Sequence, residues 1–120
     1  MKRIISLVAV LAVAATTVFS VVAYAGSNRG TAVTQVKVTI KNFKFTLSRH
    51  SAPHGKVKFN VTNKDGIKHD FKIAGGKTIV LGKNKSDSFT VTLKKGKKYT
   101  FICTVPGHAQ GGMKGTFKAL

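Results

Sequence analysis

The sequence is short of cysteine, because Cys103 is the only one in 120 residues. A single cysteine excludes an internal disulfide, which is the staple of many small exported domains. It also excludes a lipid anchor, which would need a cysteine at an export cleavage site. A lone thiol is open to oxidation unless it is buried or held by a metal, so Cys103 is a candidate functional residue.

Acidic residues are almost as scarce. Asp65, Asp70 and Asp87 stand against 21 lysines and arginines, and the net charge is +18. A positive field of this size favours association with anionic partners. The alternative is that the lysines only keep the surface soluble.

The first 25 residues have the pattern of an export signal. A basic start, Met1 to Arg3, precedes an apolar run over residues 4–22, and Ala23-Tyr24-Ala25 fits a signal-peptidase site. The sequence therefore predicts a signal peptide over 1–25, a short linker over 26–32 and one domain over 33–120. The alternative is an uncleaved anchor, because residues 4–22 approach the ~20 residues that span a bilayer. Either way the domain is expected outside the cytoplasm, in the periplasm or an equivalent compartment.

The remaining chain alternates apolar and polar residues with a period of two, which is typical of half-buried strands. Turn residues, such as Pro53-His54-Gly55 and Gly75-Gly76, separate the alternating stretches. No stretch after residue 25 has a sustained helical period. The pattern predicts an all-β sandwich or barrel of seven or eight strands. These are expected near 33–40, 43–47, 56–62, 68–73, 77–81, 86–93, 97–104 and 115–119.

Two of the predicted strands carry side chains that can bind metals. His69 shares its strand face with Phe71 and Ile73, and Cys103 shares its face with Phe101. Both side chains are therefore expected to face the interior near a strand end. Each has a simpler interpretation, because single buried histidines are commonly structural and single buried cysteines are commonly inert.

A compact loop follows Cys103. His108 and Met113 come next, with four residues between each successive pair, and Pro106 and several glycines keep the loop tight. Thiolate, imidazole and thioether together suit copper, and a His2Cys site with a distant methionine is the blue-copper arrangement. Zinc sites favour a tetrahedral donor set without thioether. The other two histidines, at positions 50 and 54, are expected in solvent.

The segment YTFICTVPGHAQGGMKG (residues 99–115), with KHDFKI (68–73) upstream, resembles the copper-binding signature of the cupredoxins, in particular the plastocyanin/azurin-like group. This resemblance implies a Greek-key β-sandwich that holds one copper ion at one end. It implies four ligands, and it places two further side chains beside them. The ligands are His69, Cys103, His108 and Met113, and their neighbours are Asp70 and Thr104.

Asp70 departs from the pattern of this family, in which an asparagine commonly follows the upstream histidine and ties the two ligand segments together. A carboxylate accepts hydrogen bonds but does not donate them when ionised. Its charge should favour oxidised copper, so Asp70→Asn is expected to raise the reduction potential. The alternative is that Asp70 points to solvent or pairs with a lysine, because strand alternation puts it opposite His69.

The function implied by the resemblance is that of an exported type 1 (blue) copper protein, which shuttles single electrons between redox partners. An enzyme is not expected, because a copper nitrite reductase or oxidase needs further copper sites. The alternative is a copper-binding carrier or copper-homeostasis protein of the cell envelope. The ring edge of His108 is expected to be the electron route, within a surface formed by Val105, Pro106, Gly107 and Ala109.

The positive charge also bears on the expected partners. They are acidic or anionic redox proteins that bind transiently, with an anionic membrane or cell-envelope surface as a further candidate. Nucleic acid is not expected, because the protein is predicted to be exported. The protein is expected to be a monomer.

Overall fold

The computed structural model describes residues 32–120, which form nine strands. The predicted signal or anchor segment and nearly all of the linker lie outside the described residues. Residues 32–120 contain no helix that could span a membrane. The strands are β1 (Thr34–Lys41), β2 (Lys44–Leu47), β3 (Ser51–Ala52), β4 (Gly55–Asn63), β5 (Lys72–Ile73), β6 (Gly76–Lys77), β7 (Ser86–Leu93), β8 (Lys98–Ile102) and β9 (Lys114–Ala119).

The strands form two sheets. One sheet has the order β2-β1-β4-β7 and the other β3-β9-β8-β5-β6. The β1–β4 and β3–β9 pairs are parallel, and the remaining pairs are antiparallel. Because several sheet neighbours are distant in sequence, the chain crosses repeatedly between the sheets, as a Greek-key sandwich requires. The predicted fold class is confirmed.

The core lies between the sheets and follows the period of two. In β4, for example, Val57, Phe59 and Val61 are buried, whereas the intervening side chains are partly exposed. Phe59 also packs with its ring centroid 5.4 Å from those of Phe71 and Phe117. Full burial of one such side chain contributes about 1.5–3 kcal/mol. The long strands form because their sequence places these apolar residues on one face.

Regular pairing is shorter around the predicted strands 68–73 and 77–81. Only the two-residue β5 and β6 form there, and His69 makes an isolated bridge to Leu81. His69, Asp70 and Phe71 are all fully buried, so both faces of the chain are covered here, unlike the half-buried β1. The structure thus has nine strands, where seven or eight were predicted. The additional strand is β3, whose two residues are too few for a periodic pattern to be detected.

Candidate metal centre

Two segments bring ligand-capable side chains to one end of the sandwich. The backbone N–H and C=O groups of His69 pair with those of Leu81, at 3.1 and 2.7 Å. Cys103 follows β8, and Met113 immediately precedes β9. Since β8 and β9 are antiparallel partners, the Cys103 N–H donates to the Met113 carbonyl at 3.1 Å. The Met113 N–H in turn donates to the His108 carbonyl at 3.1 Å, which folds the loop back on itself.

Three donor atoms face one another at this end. Nδ1 of His69 lies 3.0 Å from Nδ1 of His108, and Cys103 Sγ lies 3.5 Å from the His108 nitrogen and 4.0 Å from the His69 nitrogen. A point equidistant from atoms at these separations is about 2.1 Å from each, close to metal–nitrogen bonds of ~2.0–2.1 Å and metal–sulfur bonds of ~2.3 Å. The three side chains therefore fit a single metal ion. Among the described residues, they are the one group of His, Cys or acidic side chains arranged for this.

Met113 is the fourth residue expected at the site. It is fully buried, and its backbone is hydrogen-bonded to both Cys103 and His108. These two bonds place the Met113 backbone beside both Cys103 and His108. Its role as a weak axial ligand stays a prediction. Thioether beside thiolate and two imidazoles is a donor set that suits copper.

Residues 4–114 match the family model of the cupredoxin-like domain. The chain belongs to the cupredoxin-like domain family. Comparison with curated protein sequences gave no significant match.

Several solved structures are similar to this cupredoxin. An auracyanin of the photosynthetic bacterium Roseiflexus castenholzii, reduced with dithionite, has 19% identity and a TM-score of 0.61, covering 76% of this chain and 98% of its own. Auracyanin A of Chloroflexus aurantiacus, described as a "blue" copper protein, has 15% identity and a TM-score of 0.60, with 74% and 100% covered. Rusticyanin of Thiobacillus ferrooxidans has 20% identity and a TM-score of 0.61, with 73% and 77% covered. At these identities the similarity shows the shared fold.

The donor set of this cupredoxin fits one type 1 copper ion, and burial differs among its members. His69, Cys103 and Met113 are at most 1% exposed, whereas His108 is partly exposed. Burial raises the pKa of the Cys103 thiol, against the opposing hydrogen bonds that lower it. Without metal the thiol is therefore protonated at neutral pH, and metal binding must release that proton.

Asp70 is fully buried, so its side chain does not point to solvent, whereas the alternative of a pair with a lysine is confirmed by Lys77. Asp70 Oδ1 accepts the Thr104 N–H at 2.6 Å, Oδ2 accepts the Thr104 hydroxyl, and Lys77 Nζ lies 3.3 Å away. Burial alone would raise the pKa of the Asp70 carboxyl, but the Thr104 hydrogen bonds and the Lys77 charge outweigh it and lower the pKa. Asp70 thus ties the His69 segment to the residue that follows Cys103.

Asp65 is a neighbour of the site that the sequence did not reveal. Its Oδ2 lies 2.9 Å from His69 Nε2, the ring nitrogen that faces away from the other donors. A hydrogen bond from the Phe43 N–H, together with those from Asn42 and His69, holds the pKa of the Asp65 carboxyl below its usual value, although burial opposes this. The available signal was an acid four residues before a candidate ligand. This acid lies in Asn63-Lys64-Asp65-Gly66, a sequence typical of a turn, which explains an aspartate without any role at a metal site.

Phe43 was also missed. Its ring lies edge-on to both imidazoles, with centroids 5.2 Å from His69 and 5.3 Å from His108. The side chain is 42% exposed, so it covers the histidines from the solvent side. It lies in the β1–β2 turn, far from either ligand segment in sequence, and no pattern in the sequence connects it to them.

The remaining predicted residues lie at the surface. Pro106 and Gly107 are exposed and Val105 and Ala109 are partly exposed, and their role as an electron-transfer surface stays a prediction. Two other residues, His50 and His54, are exposed as expected. His54 Nδ1 lies 2.9 Å from the Leu120 carbonyl, beside the end of β9 that is remote from Met113.

Proposed function

We propose that this cupredoxin is an electron carrier that holds one copper ion between His69, Cys103 and His108, with Met113 as weak axial ligand. The observation that carries the proposal is the close triangle of two Nδ1 atoms and Cys103 Sγ. A His2Cys site with a distant methionine is characteristic of copper sites that transfer electrons. A copper ion bound there would supply the Cu(I)/Cu(II) couple, and the chain supplies a fixed arrangement of donors.

The rigidity of the two ligand segments supports this function. The Cys103–Met113 backbone pair extends the β8–β9 pairing by one position, and the His69–Leu81 bridge holds the third donor segment by its backbone. Asp70 connects the segments through Thr104. Electron transfer is fast when little rearranges between oxidation states, and hydrogen bonds of this kind hold ligands in place.

The burial of the site favours an electron carrier over a copper carrier. A protein that delivers copper needs ligands that a recipient can reach, whereas three of these four residues are buried. His108 is the partly exposed ligand, so its ring edge is the natural route for electrons. The surface of Val105, Pro106, Gly107 and Ala109 around it suits brief contact with a partner, as transient redox complexes require.

The partners and the location form part of the same proposal. A net charge of +18 would draw an acidic redox protein to the surface and raise its association rate at low salt. The basic and apolar N-terminus supports export to the periplasm or another extracytoplasmic compartment.

The test is the visible spectrum of the purified full-length chain after titration with Cu(II). We expect one copper per chain and an intense thiolate-to-copper band that a mild reductant bleaches and an oxidant restores. Cys103→Ser and His69→Gln should abolish the band. His54→Gln is the matched control and should leave it intact.

Two outcomes would contradict the proposal. A colourless copper complex that loses its metal quickly to a chelator would support the copper carrier instead. Steady turnover of nitrite or oxygen by the copper-loaded protein would indicate an enzyme.

A further inference from the structure

Asp65 connects two parts of the molecule that meet at the metal centre. Besides facing His69 Nε2, its carboxylate accepts the Asn42 N–H at 2.7 Å and the Phe43 N–H at 2.9 Å. We propose that Asp65 is a positioning residue of the centre, which orients His69 toward the other donors and holds Phe43 over both imidazoles. This inference rests on the proposed function, and it adds a residue that determines how the site is built.

The first role of Asp65 concerns the protonation of His69. In a neutral imidazole one nitrogen carries the proton and the other a free lone pair, and only the latter binds a metal. His69 is fully buried, so its Nε2–H depends on a protein acceptor, and Asp65 Oδ2 is that acceptor. The hydrogen bond therefore leaves the lone pair on Nδ1, the atom that faces Cys103 and His108. A carboxylate behind a ligating histidine also makes the ring a stronger donor.

The second role concerns the β1–β2 turn. Asn42 and Phe43 both have positive φ angles, 51° and 57°. Consecutive non-glycine residues in this region are strained, and a bulky residue such as Phe43 adopts it only when its surroundings impose it. The Asp65 carboxylate accepts the N–H groups of both residues and so stabilises this conformation. This turn conformation brings the Phe43 ring into edge-on contact with His69 and His108.

Asp65 is itself held in place by Asn63, which is fully buried. Asn63 Oδ1 accepts the Asp65 N–H at 2.9 Å, and its Nδ2 donates to the carbonyls of Ile67 and Leu81 at 2.8 and 2.7 Å. Leu81 is the backbone partner of His69. The carboxylate and the histidine are therefore anchored to the same buried amide, which fixes the distance between them.

The experiment uses Asp65→Asn in the full-length chain, with Asp87→Asn as the matched control. Asp87 also accepts two backbone N–H groups, from Ile79 and Ser88, so the control removes the same charge from a similar environment. In the metal-free protein, nitrogen NMR of the imidazoles should show one tautomer of His69, with Nε2 protonated. Asp65→Asn should produce a mixture of tautomers, and Asp87→Asn should not.

The second measurement is the affinity for Zn(II), titrated against a competing chelator. Loss of a hydrogen-bond partner behind a metal ligand commonly weakens binding by 10- to 100-fold, and we expect an effect of about this size for Asp65→Asn. Unchanged tautomer populations together with unchanged Zn(II) affinity would overturn the proposal.

The Asn42→Gly substitution distinguishes the support that Asp65 gives to the β1–β2 turn from its effect on His69. Glycine adopts positive φ without strain, so adding it to Asp65→Asn should recover the thermal stability lost with the turn. The tautomer mixture and the weaker Zn(II) binding should persist in that double variant, and their full recovery would refute the His69 role. If the wild-type chain gave no blue copper band but the NMR result held, the proposed function would fail and the positioning of His69 would stand.

Discussion

Asp70 offers a quantitative test of how the chain tunes its metal centre. Its carboxylate accepts the Thr104 N–H at 2.6 Å, and Thr104 directly follows Cys103. By covalent dimensions the charge is therefore about 7 Å from the metal position. Two unit charges at that separation interact by about 2.4 kcal/mol at an effective dielectric constant of about 20. For one electron about 1.4 kcal/mol corresponds to about 59 mV, so the full charge is equivalent to about 100 mV.

Lys77 reduces this effect. Its ammonium lies 3.3 Å from the carboxylate, and its side chain is 46% exposed, so it is free to move into solvent once the carboxylate is neutral. Asp70→Asn then removes part of a charge pair rather than an isolated charge. We expect the reduction potential to rise by about 30–100 mV, because oxidised copper loses the stabilisation of a nearby anion.

The substitution is well suited to the test because it preserves the contacts. An asparagine oxygen still accepts the Thr104 N–H, and its amide can donate to the Thr104 hydroxyl. Protein-film voltammetry of the copper-loaded chain measures the potential, and an unchanged visible spectrum shows that the ligands have not moved. Lys77→Met should shift the potential downward, and the double variant should lie between the two. An unchanged or lower potential for Asp70→Asn, with the spectrum intact, would refute the reasoning.

Two further predictions concern stability. Gly115→Ala should destabilise the fold by about 1–3 kcal/mol in denaturant unfolding, because a Cβ there would overlap the Phe101 ring. Gly82→Ala is the control, because a Cβ at that position meets open space. Equal losses of stability in the two variants would contradict this packing. The metal-free protein should also lose stability in acid. The pKa values of Asp65 and Asp70 are lowered by folding. Their contribution is therefore complete above the unfolded value of about 3.9 and is lost as the pH falls through the folded values. Thermal unfolding against pH should be flatter below pH ~4 in a D65N/D70N variant, and an identical slope would exclude these two carboxyls as the cause.

Sequence patterns were informative where geometry is local. The period of two predicted the long strands and the inward direction of Cys103, because a strand alternates its faces whatever it pairs with. The spacing of Cys103, His108 and Met113 was equally informative, since one loop and one hairpin bring them together. His69 depended on the resemblance to cupredoxins as well as on strand phase, because its proximity to Cys103 arises from the packing of distant segments.

The features that sequence analysis missed all depend on contacts between turns. Asp65 binds the β1–β2 turn across 22 and 23 residues of sequence, and Phe43 covers ligands from two other segments. A turn has no periodicity to reveal where its side chains point. The burial of Asp70 could not be predicted for a related reason, because an isolated bridge replaces the regular strand around His69.

The three acidic residues of the chain all make specific contacts with the backbone. All three aspartates accept backbone N–H groups, and two of them, Asp65 and Asp70, lie at the metal centre. In a chain with 21 basic residues, the surrounding positive field disfavours the more highly charged Cu(II) state. A carboxylate behind His69 and another beside Cys103 oppose that field at short range, where screening is weakest. We therefore expect the two local anions to offset part of the effect that the basic surface would have on the potential of a bound copper ion.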